Sequence, residues 1–156
     1  MHIIRSLMAA LLAICVSGAG LAQEQSTDPL AQATETFNQA RKRLIADNLQ
    51  LTASEAARFW PLYEQFEKDL IVLTEKRRAL IAEFGENYDQ MTDAMARKIL
   101  TDRLELEEDR LRLMKAYLQR YEKVLPIKKV ARYYQIESKI QASVDAGIAE
   151  ELPLIK

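Results

Sequence analysis

Cysteine, histidine and tryptophan occur once each among 156 residues, and glycine and proline four times each. One cysteine cannot form a disulfide within the chain, so the fold must rest on its core. With so few glycines and prolines there is little material for tight turns, and no stretch alternates polar and apolar residues as a half-buried strand does. The charge balance, 22 basic against 23 acidic side chains, shows none of the basic excess that nucleic-acid binding needs.

The scarcity deepens at the N-terminus. Arg5 precedes an apolar run of ten residues, Leu7 to Val16, and Gly20-Leu21-Ala22 sets small residues where a signal peptidase reads. Residues 1–22 are therefore expected to be a secretory signal peptide, too short to span a bilayer, with export to the periplasm as the consequence. Cys15 follows Ile14 and not a small residue. It reads as a member of the apolar run, the alternative being a lipoprotein cysteine. Cleavage after Ala22 would remove His2 and Cys15 together. Removing Arg5 from the 22 basic residues leaves 21 against 23 acidic ones, a net charge of −2. Thiol nucleophiles, imidazole bases and soft metal ligands would then all be missing. No phosphate-cradling glycine loop or nucleophile–base pair stands out either. The expectation is a protein that is not an enzyme, has no cofactor or metal, and binds other proteins.

The remainder is rich in helical periodicity. After a polar lead-in at 23–28, Asp28-Pro29 opens a helix with Leu30, Ala33, Phe37, Ala40 and Leu44 on one face, running to about Asn48. Thr52 and Glu55 stand at capping-box spacing before a second helix. Its seam is Phe59, Tyr63, Phe66, Leu70, Leu73, Arg77, Leu80 and Phe84. Pro61 falls inside, but the seam keeps its phase, so a kink is expected and not a break. Gly85 and Asn87 read as the stop signal. Thr92-Asp93 caps a third helix whose stripe is Leu100, Leu104, Glu107, Leu111, Met114, Leu118, Tyr121 and Leu125, ending at Pro126. A fourth carries Ile127, Val130, Tyr133, Tyr134, Ile136, Ile140, Val144 and Ile148, before a tail at 151–156.

The fold class is accordingly all-α with four helices in a single domain at 29–150. The second and third form a long antiparallel hairpin, flanked by the N- and C-terminal helices. If the hairpin turns near Asp89, residues whose numbers sum to roughly 180 face each other. Arg77 and Glu107, the charges inside apolar seams, then come within reach of an ion pair. That pair either fixes register or marks a polar ligand site. The acidic run Glu105, Glu107, Glu108, Asp109 is interleaved with Arg103, Arg110 and Arg112, which makes it a solvated face sooner than a cation site. The segment Tyr117 to Tyr134 mixes cations with tyrosines. Its Lys128, Lys129, Arg132, Tyr133 and Tyr134 are candidate contacts for unfolded chains or an acidic partner, the alternative being core tyrosines with lysine stems laid along them.

Leu51-Thr52-Ala53-Ser54-Glu55 and Met91-Thr92-Asp93-Ala94-Met95, forty residues apart, resemble the paired LTxxQ boxes of the Spy/CpxP-like periplasmic proteins. Leu51, Thr52, Glu55, Met91 and Thr92 carry the likeness; Glu55 and Met95 stand where the family has glutamine, and Met91 where it has leucine. The resemblance covers roughly residues 30 to 145 and looks like a divergent, uncharacterised branch. It implies a thin, cradle-like homodimer. Its implied role is that of an ATP-independent chaperone or envelope-stress accessory factor for unfolded or partly folded envelope proteins, or else that of a ligand restraining a membrane sensor kinase. Metal sensing, the third family role, leans on histidines that a processed chain would lack.

Overall fold

The computed structural model describes residues 29–155, and the signal peptide and polar lead-in expected at 1–28 lie outside them. Among the described residues there are four α-helices and no strand: α1 Pro29–Leu49, α2 Ala53–Asn87, α3 Asp93–Tyr121 and α4 Ile127–Glu151. The all-α architecture with a long hairpin is the observed one. None of the helices is long and apolar enough to cross a membrane, among the described residues.

By contacts the chain divides into two compact units. Among the described residues, one holds Leu51–Ala131 with 154–155, and the other joins 29–50 with Arg132–Pro153, so α4 contributes to both.

In the first unit α2 and α3 run antiparallel. The start of α2 is fixed by a capping box. Glu55 N donates to Thr52 Oγ1 (3.3 Å) while Thr52 N donates to the Glu55 carboxylate (2.8 Å). The 35-residue helix passes uninterrupted through Pro61, whose ring lies on an exposed position. Its interior seam is the expected one. Phe59, Tyr63 and Phe66 are fully buried, and Leu70, Leu73, Arg77, Leu80 and Phe84 are half-buried. Gly85 does not stop the helix. No left-handed residue forms there; the Phe84 and Tyr88 rings meet across it at a tilt of 56° (5.7 Å), and a 3-10 turn at Tyr88–Gln90 makes the reversal.

The register agrees with the sequence expectation. Lys98 meets Glu83 (2.9 Å), Lys76 meets Asp109 (3.3 Å), Tyr117 donates to Asp69 (2.6 Å), and the Phe59 and Tyr121 rings lie 5.5 Å apart. Each pair of numbers adds to roughly 180, as a turn near Asp89 requires.

The phase of α3 differs from the expectation over its first half, while Met114, Leu118, Tyr121 and Leu125 of the expected stripe are half-buried or buried. Leu100, Leu104 and Leu111 are 58, 56 and 54% exposed, and the side turned inward is Ile99, Leu106, Leu113, Tyr117 and Tyr121. Both stripes are apolar at helical spacing. Tyr121, on Phe59, belongs to both; the inner one wins because it leads into Tyr117 and sets that ring on Phe66 (5.1 Å), an aromatic pair worth about 0.5–1.5 kcal/mol beyond the area it buries. The helix also ends at Tyr121, before Pro126. Bonds from Lys123 and Val124 back to Arg120 and Tyr121 tighten the chain and carry Leu125 into a buried position.

The second unit pairs α1 with the larger part of α4. Ile45, Leu49, Tyr133, Ile136 and Ile140 are buried there. Arg41 and Glu137 form a buried bidentate ion pair (3.3 and 2.5 Å) that joins the two helices. Such a pair costs desolvation but, once both ions are buried, sets register firmly.

Candidate functional site

The two threonine boxes differ in what they do. In the first, Thr52 and Glu55 complete the reciprocal cap, and Glu55 also accepts a 2.6 Å bond from Lys129 of α4. The Lys129 bond, followed by the Thr52 backbone N–H, holds the Glu55 carboxyl down at about 2 against an ordinary 4.5. In the second, Thr92 Oγ1 accepts from Met95 N (3.3 Å), and Met95, lacking a polar end, returns nothing. Leu51 and Met91 are half-buried beside their threonines. The boxes are therefore helix-starting devices, the first of which also ties down the opening turn of α4.

The residues expected around that turn separate. Lys129 is taken up by Glu55. Tyr133 is fully buried in the other unit, a core residue and not a contact for a partner. Tyr134 is half-buried and edge-on to Tyr133 (5.7 Å). Lys128 and Arg132 are exposed. The expected Arg77–Glu107 pair gives way to another arrangement. Glu107 lies on the outer stripe of α3, 54% exposed, and bridges Arg103 one turn back on its own helix (3.5 Å), while Arg77 is half-buried in the α2 seam. Because α3 is turned by one residue from the expected phase, Glu107 leaves the interface and Asp109 enters it, held below its usual range by Arg112 and then Lys76. Glu108 bridges Arg112 (3.8 Å), so Glu107, Glu108 and Asp109 of the acidic run are engaged in ion pairs, and Glu105 is exposed. Among the described residues no group of three or more His, Cys, Asp and Glu could hold a metal.

Two features escaped sequence reasoning. Arg41–Glu137 connects residues ninety-six apart, and only their positions near the apolar stripes of α1 and α4 could have signalled it. The other is the outer stripe itself. Leu100, Leu104 and Leu111 share one face of α3 at spacings of 4 and 7, and on α2 Ile71 and Val72 are 49 and 56% exposed. A helix apolar on its inner side normally turns charge outward. Here leucines recur on the outer side, with Glu107 and Arg103 between them.

No family model matches the chain, and no curated protein or solved structure does. The likeness to Spy/CpxP-like proteins thus rests on the two boxes and the hairpin plan.

Proposed function

We propose that the protein is a non-catalytic, protein-binding factor of the bacterial periplasm, acting as a dimeric ATP-independent chaperone or envelope-stress accessory. The observation that carries this reading is the exposed row Leu100, Leu104, Leu111 on α3, each more than half accessible. Single exposed leucines are commonplace, but three at helical spacing along one face form a strip suited to another apolar segment. Charged neighbours keep such a strip soluble while it is empty. The two threonine boxes support the family side of the proposal, since they begin both arms of the hairpin in the way the resemblance implies.

The test is suppression of light scattering by a chemically unfolded client, without nucleotide. Protection by the wild-type chain, lost in a Leu100→Gln/Leu104→Gln/Leu111→Gln variant of unchanged helicity, is the expected result. No protection at several-fold molar excess rejects the chaperone role. Co-purification with one stoichiometric membrane partner would then move the protein to the sensor-ligand class.

A further inference from the structure

The outer leucine strip does not exhaust the surface of the hairpin. From Leu113 to Tyr134 the chain carries Lys115, Arg120, Lys123, Lys128, Lys129 and Arg132 against the single acid Glu122, although the whole chain has a formal net charge of −1. The charge is therefore segregated, and what matters is where these cations come to lie.

At the end of the hairpin away from the turn, Phe59 meets Tyr121, and Glu55 meets Lys129. These two contacts bring the first turns of α2, the last turn of α3 and the first turn of α4 to one place. Arg58 sits beside Phe59, Arg120 and Lys123 beside Tyr121, and Lys128 beside Lys129, and all four are exposed. Among the described residues Arg58, Lys123 and Lys128 enter no ion pair, whereas Lys76, Lys98, Arg103 and Arg112 along the arms are each matched to a carboxylate. Arg120 lies over the Tyr117 ring (4.4 Å), which orients its guanidinium without neutralising it. Next to Lys128, Ile127 is 59% exposed.

We propose that Arg58, Arg120, Lys123 and Lys128 around Ile127 form a docking surface for an acidic polypeptide segment that carries an apolar anchor residue. Charge complementarity selects the acid, and Ile127 selects the anchor. A lipid surface is the poorer fit. It needs a broad apolar face on an amphipathic helix, and here one large apolar side chain stands among cations drawn from three helix ends and a turn. The proposal goes beyond the chaperone reading and uses a different surface from the leucine strip.

A fluorescent synthetic peptide of glutamates around a central leucine, titrated into the full chain and followed by anisotropy, is the experiment. Saturable binding is expected, weakening steeply with salt because the contacts are exposed and screened over about 10 Å at 0.1 M. The Lys123→Glu/Lys128→Glu variant should bind at least about tenfold more weakly. Leu104→Gln should bind as wild type does, so failure of the leucine strip in the aggregation assay leaves this result standing, and the converse. Equal binding of the same peptide with lysine for glutamate overturns the proposal, as does salt-independent binding to the wild type, which can be read even if the double variant does not fold. Binding to anionic phosphatidylglycerol vesicles without binding to the peptide overturns it in favour of a membrane.

Discussion

Glu55 makes a helix cap and an inter-helix tether with one carboxylate. Its two duties predict one pH signature. A carboxyl lowered to about 2 in the folded chain, from 4.5, contributes stability that is complete above pH 4.5 and is lost as pH falls from 4.5 through about 2. Urea midpoints recorded between pH 7 and pH 2 should therefore decline through that window in the wild type, and decline less in Glu55→Gln. Parallel curves would show that the Lys129 bond is not formed in solution. The buried pair Arg41–Glu137 answers to a different rule. Removing the acid alone deletes both bonds it makes to a guanidinium that is 8% exposed, and Glu137→Ala should cost about 3 kcal/mol in the unit formed by α1 and α4. Replacing both partners, Arg41→Met with Glu137→Leu, should recover most of that loss, as read by thermal denaturation. These two residue-scale effects differ in legibility. Glu55 was visible three residues after Thr52, because a capping box is local. Glu137 was not, because its partner comes from an element whose placement no short spacing encodes.

At the scale of elements, helix existence and the hairpin register could be read from the sequence, and the phase of α3 could not. α2 presents one apolar seam, so the position of Phe59, Tyr63 and Phe66 followed from spacing alone. α3 presents two, displaced by one residue over its first half and merging inward from Leu113 to Tyr121, and the decision between them belongs to α2. Phe59 and Phe66 accept tyrosine rings from 117 and 121, and the leucines at 100, 104 and 111 are left outside. Gly85 was legible as a helix breaker only in type. Its backbone is helical and a methyl group there would meet nothing within 4 Å. Gly85→Ala should accordingly stabilise the hairpin by about 0.5–1 kcal/mol, measured as a raised denaturation midpoint with an unchanged slope. A loss of stability would mean that the turn at Tyr88–Gln90 draws on glycine's freedom. The boxes make a paired comparison. Thr52→Ala and Thr92→Ala should each cost about 1 kcal/mol, since each hydroxyl accepts one 3.3 Å bond from the third helical residue, whereas the bond from the main-chain N–H of residue 52 to Glu55 survives the change to alanine; the extra return bond should show instead as a loss in Glu55→Ala with no counterpart in Met95→Ala.

For the molecule as a whole, the distribution of leucine separates folding from function. The core of the hairpin is aromatic, and Tyr121, fully buried, contacts both Phe59 and Phe66. Tyr121→Ala should cost about 3–5 kcal/mol by leaving a cavity among them. Leu100, Leu104 and Leu111 lie on solvent, so each change to glutamine, an equally good helix former, should move stability by no more than about 0.5 kcal/mol. A triple variant that keeps its midpoint and helicity but no longer protects an aggregating client would place the binding surface on α3. A triple variant that loses several kcal/mol at high protein concentration and little at low concentration would mean that a second copy covers the strip, because only then does burial of those leucines depend on mass action. Sedimentation of both chains across a concentration series distinguishes the two results. A protein that remains helical, monomeric and fully protective after all three changes would show that the strip has no part in binding.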